Sequence, residues 1–300
     1  MDFESWAEEE LADIQSDLGL TRPRPNQSLF KYVSLDTEKS WNYFEQTFDE
    51  LKLFGQSPQA LNDPFELQPA IFNDIAPEKV RSLLGVSRLS EKFPKDGKLS
   101  SYLDRDSKFY TERSISYLTK FRENSRVISL CERYDSPLLW AHYANSYSGA
   151  CIHFLGGKMQ QRGGSIIGRV VYADQRPMYP LSLALVLSIG NLVSGRPSRA
   201  HRAETNKLLY FTKASDWAYE KEYRVVYNTN QVTNFSFNPD SLVSIILGPK
   251  MDQKIKDRVI DKVRTSALTG IPIYQAQVST SNFSVQVDWS QPVNGRPPNQ

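Results

Sequence analysis

Residues 217–227, WAYEKEYRVVY, constrain this chain more than any other stretch, because they combine strand-forming residues with three charges at strand spacing. As a strand, the segment sets Glu220, Glu222 and Arg224 on one face and Tyr219, Lys221, Tyr223, Val225 and Tyr227 on the other. Two carboxylates and a guanidinium in a row pair and repel at close range, an arrangement able to hold a cationic or sugar-like group. In that reading the three line a concave pocket, since such groups are costly to bury without a use. A solvated strand face carries the same pattern, and the segment alone leaves both readings open.

The rest of the composition is that of an ordinary globular protein. A chain of 300 residues, 40% hydrophobic and 12% aromatic, can bury a sizeable core in one large domain or two small ones. Its net charge of +2 hides an asymmetry: residues 1–20 hold seven acids and no Lys or Arg, which leaves +9 for the remainder. Such a body favours anionic ligands such as nucleotides, but no Lys/Arg run is dense enough to read as a nucleic-acid stripe. Cys131 and Cys151 are the only cysteines and Met1 is followed by acids, so a reduced, cytoplasmic protein without a disulfide is expected. The longest apolar run, residues 181–193, is interrupted by Ser182, Ser188, Gly190 and Asn191 and is too short to cross a bilayer. No membrane partner is expected.

Apolar residues Phe3, Trp6, Leu11, Ile14 and Leu18 predict a helix with one sticky stripe and an acidic back, which docks on its own domain or on a basic partner. Residues 21–26, TRPRPN, break it into a linker. Strands are predicted at 29–34, 50–54, 126–131, 150–154, 168–172, 217–227, 241–248, 273–278 and 283–287. Helices are predicted at 36–48 with Asp36 as cap, over much of 76–125, at 137–144 behind Ser136 and Pro137, within 181–210, and at 252–265. Strands and helices mix without strict alternation, which predicts an α+β fold with a mixed, largely antiparallel sheet and surrounding helices. The expected division is an acidic helix and linker over 1–25, one catalytic-type domain over 26–290 and a disordered tail over 291–300.

Several smaller signals carry chemistry. His142 and Tyr143 stand where a helix end can orient a ligand, although Leu138, Leu139 and Trp140 of the same helix are core residues. In residues 62–66, NDPFE, Pro64 holds Asp63 extended and the Asn62–Asp63 pair bonds its own backbone, giving a rigid polar turn that serves either as a plain turn or as a site. Lys213 is placed to meet a phosphate or a carboxylate, or simply to be solvated. His153 and His201 form no Ser/His/Asp set by spacing. No repeat, Walker loop, GxGxxG, nucleophile elbow or Cys/His metal spacing is present.

Taken in order, FKY at 30–32, NDPFE at 62–66, RVISLCE at 126–132, LLWAHYA at 138–144, GACIHF at 149–154, KxxxWxYExEYR at 213–224 and IILG at 245–248 resemble the bacterial domain-of-unknown-function family DUF2971. The chain also resembles the ADP-ribosyltransferases, whose fold uses a polar residue on the first strand, a polar or aromatic segment on the second and a late-strand glutamate, often in an E-x-E pair. That resemblance implies Tyr32 or Lys31 on the first strand, the Asn62–Phe65 region (Asn62, Asp63, Phe65) on the second, and Glu220 and Glu222 as the E-x-E pair. It further implies that NAD is the substrate, that Glu222 stabilises the oxocarbenium-like ribose left by nicotinamide, and that Glu220 positions the acceptor. Tyr32 and Phe65 would bind or stack on the dinucleotide, with Arg224 or Lys213 facing pyrophosphate or holding the carboxylates. At the first strand this chain departs from the His or Arg of many members, and the Ser-Thr-Ser segment of one branch is missing.

The expected function is therefore a cytoplasmic ADP-ribosyltransferase-like enzyme that modifies a protein or nucleic acid, as a toxin or phage-defence effector. One alternative is a nuclease with Asp63, Glu66, Glu220 and Glu222 around Mg²⁺. The other is a nucleotide- or protein-binding module without turnover.

Overall fold

A computed structural model describes residues 20–76, 106–159, 165–185, 187, 199–229 and 234–295. The acidic helix expected at 2–18, the part of the 76–125 stretch from 77 to 105, and the last five residues of the expected tail lie outside the described residues. The chain divides into two compact units, one of residues 1–20, 57–125 and 171–215, the other of residues 21–56, 126–170 and 216–300.

In chain order the strands are β1 (Ser28–Val33), β2 (Lys52–Leu53), β3 (Ala70–Phe72), β4 (Ser125–Cys131), β5 (Ala150–Leu155), β6 (Ser165–Arg169) and β7 (Val171–Ala173). They continue as β8 (Met178–Pro180), β9 (Thr212–Ala214), β10 (Glu222–Asn228), β11 (Phe235–Ser236), β12 (Leu242–Leu247), β13 (Ile273–Val278) and β14 (Val285–Val287). The helices are α1 (Glu38–Asp49), α2 (Ser107–Glu123), α3 (Pro137–Tyr143), α4 (Arg199–Tyr210) and α5 (Gln253–Thr265). The fold is α+β, with a large mixed and mostly antiparallel sheet, as the sequence predicts.

That sheet belongs to the second unit and has the order β14-β13-β12-β5-β1-β4-β10-β6. The β12–β13 pair is parallel, while β1–β4, β1–β5, β5–β12, β6–β10 and β13–β14 are antiparallel. Strand alternation makes it two-sided. On one side Leu29, Ile152, Phe154, Val225 and Ile245 pack with Trp41, Phe44 and Phe48 of α1 and Val259 and Val263 of α5. On the other, Phe30, Cys131, Cys151 and Ile246 pack with Leu139 and Trp140 of α3. Both faces are thus dry, and the centre of the sheet reads as apolar runs rather than as apolar–polar alternation.

Local chemistry sets the ends of these elements. Helix α1 starts from Thr37, not Asp36: the Thr37 hydroxyl accepts from the Ser40 N–H and the Ser40 hydroxyl accepts from the Thr37 N–H, a reciprocal box that a lone Asp at 36 cannot make. Helix α1 meets α5 through Glu45–Arg258 at 3.0 Å, and the Arg258 guanidinium sits 3.9 Å from the Trp41 ring centroid. Leu51, at φ 55, cuts the strand expected at 50–54 down to Lys52–Leu53. The strand expected at 168–172 breaks between β6 and β7, since Val170 N–H bonds the Glu222 carbonyl whereas Val171 N–H bonds that of Phe211. Strand β14 starts only at Val285, and Phe283 is fully exposed. The described part of the expected disordered tail is held in place. Val293 N–H bonds the Ile273 carbonyl, and the Asn294 side chain both accepts from Ile273 N–H and donates to the Ile271 carbonyl.

Between α3 and β5 the chain makes an uncommon turn. Asn145, Ser146 and Tyr147 have φ of 45, 51 and 76, three successive non-glycine residues in the left-handed region. Hydrogen bonds from Ser146 N–H to Ala141 O, Tyr147 N–H to Trp140 O and Gly149 N–H to Ala144 O close it onto the end of α3. Backbone crowding leaves no room for side chains at the exit. A Cβ on Gly149 would meet the Val33 carbonyl at 2.3 Å, and one on Gly248 the Tyr147 carbonyl at 2.1 Å.

In the first unit, two parallel ribbons, β3 with β8 and β7 with β9, accompany α2 and α4. Buried hydroxyls pair there: Tyr179 with Thr205 at 3.1 Å and Tyr210 with Ser125. The Asp74 carboxylate accepts from both the N–H and the hydroxyl of Ser182.

His153 on β5 gives the second unit a pH dependence. Its ring stacks on Phe30 at 4.6 Å and its Nε2 meets the Ser28 hydroxyl at 2.9 Å, and burial pushes its pKa from 6.5 down to about 4. Between those values the unfolded chain binds a proton that the folded chain does not, so stability is fully present above 6.5 and falls as the pH drops through the window. Urea unfolding at pH 7 and pH 5 should show this loss, on the order of 2 kcal/mol at most. A His153→Gln variant should lose less stability than the wild type over the same interval; an identical loss would remove His153 as the cause.

Candidate functional site

Strand β10 places a buried pair of charges in the second unit. Tyr223, Val225 and Tyr227 point into the α1/α5 core, so strand alternation sends Glu222 and Arg224 to the side covered by α3. Neither is wet. Arg224 is 0% and Glu222 2% exposed, which overturns the solvated-face reading of this segment. The Arg224 guanidinium grips Glu222 with two parallel bonds, Nε to Oε1 at 2.8 Å and Nη2 to Oε2 at 3.0 Å. Such a fork fixes the orientation of both side chains as well as neutralising them.

Glu220 is buried as well but does not share that strand face, contrary to the expectation for residues 217–227. Residues Ser215–Glu220 form a 3₁₀ turn, and Lys221 sits at φ 46, outside strand geometry. Lys221 is anchored on both sides, its N–H to the Ala218 carbonyl and its carbonyl to Glu132 N–H. Glu220 is therefore aimed by the turn. Its Oε1 accepts from the Tyr143 hydroxyl at 2.6 Å, which ties the start of β10 to the end of α3. Burial and the nearby Glu220 and Glu222 carboxylates hold the Tyr143 phenol far above its ordinary pKa, so it stays a neutral donor.

The same field reaches β1 and β4. Burial pushes the Lys31 ammonium down to about 8, opposed by Cys131 and Glu222. Burial pushes the Cys131 thiol up to about 12, reinforced by Glu220 and Glu222. Tyr32 stands edge-on to Trp140 at 5.1 Å and donates to the Arg133 carbonyl at 3.0 Å. Lys31, Tyr32, Tyr143, Glu220, Glu222 and Arg224 thus all lie in the second unit, along with Cys131, whose position beside Glu220 and Glu222 the sequence did not reveal. His142 is exposed, its ring 6.2 Å from that of Tyr143.

Asn62, Asp63, Phe65 and Lys213 belong to the first unit. Residues 62–66 form the expected turn and not a second strand: Asp63 Oδ1 accepts from Phe65 N–H at 2.8 Å and its carbonyl from Glu66 N–H at 3.1 Å. In the sheet the second strand is β4, which continues into Glu132, Arg133 and Tyr134. Lys213 is not solvated but 7% exposed, and its ammonium lies 2.9 Å from Glu66 Oε1. The pair lines a cavity of about 200 Å³, with Asp63, Phe65 and Arg176 also on its wall. Among the described residues, no group of three or more His, Cys, Asp or Glu is arranged to hold a metal ion, and no helix is long and apolar enough to cross a membrane.

Residues 139–225 match the family model described as "Protein of unknown function (DUF2971)", a stretch that includes His142, Tyr143, Lys213, Glu220, Glu222 and Arg224. No curated protein and no solved structure matches the chain.

The Glu222–Arg224 fork should behave as one unit. Glu222→Gln and Arg224→Met are each expected to lower the unfolding free energy by roughly 3–5 kcal/mol, because each strands a buried partner. The double variant Glu222→Gln/Arg224→Met should lose less than the sum of the two single losses, as read by urea denaturation; strictly additive losses would show that the two side chains act independently.

Proposed function

We propose that the second unit carries an ADP-ribosyltransferase-type active centre that uses NAD to modify a protein or a nucleic acid, with Glu222 as the catalytic carboxylate. The observation that carries this reading is the adjacency of β1, β4 and β10 in the sheet. That order brings Tyr32 of the first strand, the end of the second strand and the glutamates at the head of a late strand together on the side covered by α3, while Lys31, opposite Ile152, faces the other side of the sheet. These are the three positions that the resemblance to the transferases requires, with β4 in place of the Asn62–Phe65 region on the second strand.

The chemistry follows from the groups present. Cleavage of the bond between ribose C1′ and nicotinamide sends the electron pair out with the nicotinamide and leaves positive charge on the sugar. A carboxylate held rigidly against the ribose stabilises that charge most as it develops, so it lowers the barrier more than it tightens binding. Arg224 grips Glu222 through both oxygens, which fixes the carboxylate proposed to face the ribose. The acceptor nucleophile attacks C1′ and gives up its proton to Glu220, whose angle is set by Tyr143. The thiols of Cys131 and Cys151, both free and buried, accord with a cytoplasmic setting.

Full-length protein incubated with NAD labelled in the adenylate half and with cell lysate should release nicotinamide and label a macromolecule. At a temperature where circular dichroism shows it folded, Glu222→Gln should lose roughly 10²- to 10³-fold in nicotinamide release while keeping NAD affinity within a few fold. Glu220→Gln should lose labelling of the acceptor more than release of nicotinamide. Wild-type protein that releases no nicotinamide, or a folded Glu222→Gln that matches it, overturns the reading.

A further inference from the structure

The second unit assembles a row of cations that no run in the sequence marks. Arg22, Arg24, Lys158 and Arg169 are all exposed, and no two of them are consecutive in the chain. Backbone contacts bring them side by side. Arg169 N–H bonds the Thr21 carbonyl at 3.1 Å, which sets Arg22 next to Arg169 at the end of β6. Gly156 N–H bonds the Gln27 carbonyl at 2.8 Å, and the turn Gly156–Lys158 lies against the same segment. A Cβ on Gly157 would meet the Pro25 Cα at 2.3 Å and the Arg24 carbonyl at 2.7 Å, so only glycine lets Lys158 come this close to Arg24. Pro23 and Pro25 restrict Arg22 and Arg24 to extended backbone, and Pro23 is buried, so the two arginines are presented from a fixed support. Arg169 lies 3.7 Å from Glu132, whose other commitment is to the Gln27 side-chain amide at 2.8 Å. Among the described residues, Arg24 and Lys158 make no ion pair.

We infer that this row is a docking surface for the phosphodiester backbone of a nucleic acid. Thr21 to Arg24 spans about 10 Å of extended chain, the length over which one strand of a duplex presents roughly three phosphates. A line of cations on a fixed backbone matches a polymer that carries one negative charge per repeat, whereas an acidic protein offers carboxylates at irregular intervals among other groups. The row consists of cations alone, so it grips backbone and reads no base. It also reaches the strand that carries the proposed active centre: Arg169 pairs with Tyr223, and Val170 N–H bonds the Glu222 carbonyl at 2.9 Å. Resting on the transferase reading, that adjacency makes a nucleic acid, and not a protein, the acceptor.

Fluorescence anisotropy of the full chain with a labelled DNA strand, its duplex and the matching RNA strand tests the docking surface without NAD. Binding should weaken as salt rises, with log K falling against log salt at a slope of roughly −2 to −3. Arg24→Ala and Lys158→Ala alter exposed side chains, so each should leave the melting temperature unchanged and reduce that slope by about 1, and the double variant should bind roughly tenfold or more weakly. The tightest of the three probes assigns the source of the backbone. No binding at about 0.1 mM protein in about 20 mM salt, or unchanged affinity in the double variant, overturns the inference. So does displacement of the probe by polyglutamate at a lower charge concentration than by unlabelled oligonucleotide, which would assign the row to an acidic protein. The acceptor is read separately, with labelled NAD and the oligonucleotide: label should enter the nucleic acid and fall in the double variant, and label confined to protein removes nucleic acid as the acceptor. Absence of nicotinamide release overturns the transferase reading and leaves the anisotropy result standing.

Discussion

The fork between Arg224 and Glu222 is the constraint on which the second unit turns. It places a full ion pair, hydrogen-bonded through two parallel bonds, on a strand whose opposite face lies in the main core. Removing either charge alone leaves the other buried without its partner, so the two must be kept or lost together. Burial keeps Tyr143 a phenol and Cys131 a thiol, and the nearby Glu220 and Glu222 carboxylates reinforce both; burial lowers the Lys31 ammonium, with Cys131 and Glu222 opposing it.

Much of this was legible in the sequence, and what was not has identifiable causes. The α+β class, the strands at 126–131 and 150–154, and the helix started by Ser136 and Pro137 follow from periodicity and from proline at the first helical position. Glu220, Glu222 and Arg224 stood out because charges at strand spacing are visible locally. Their burial was not, since a residue's accessibility depends on what the chain places over it. Nor was the bond between Tyr143 and Glu220, 77 residues apart. The strand expected at 217–227 fails at Lys221, where a residue with no sequence mark of a turn takes a positive φ. The assignment of the Asn62–Phe65 region to a second strand fails because Asp63 bonds its own backbone, chemistry that Asn and Asp perform equally well in a plain turn and in a site.

Lys213 teaches the converse lesson. A lone lysine most often reads as solvated, and here it is buried against Glu66, a residue 147 positions earlier that ordinary strand and helix periods cannot connect to it. The two ion pairs also differ in kind. Arg224 meets a carboxylate of its own strand through a planar two-bond fork, whereas Lys213 meets Glu66 as a point charge at 2.9 Å.

The left-handed triplet Asn145–Ser146–Tyr147 acts as a spacer of fixed length. Each residue pays about 1–2 kcal/mol for its backbone conformation, so the triplet persists only because both of its ends are held, at Trp140 and Ala141 on one side and at Gly149 and Gly248 on the other. Most surface loops absorb an inserted residue at little cost. This one has no slack, since the carbonyls of Val33 and Tyr147 already fill the space beside Gly149 and Gly248. A single residue gained or lost between Tyr143 and Gly149 would therefore shift the phenol away from the Glu220 carboxylate, and the reach from helix to glutamate is set by the count of residues in the turn.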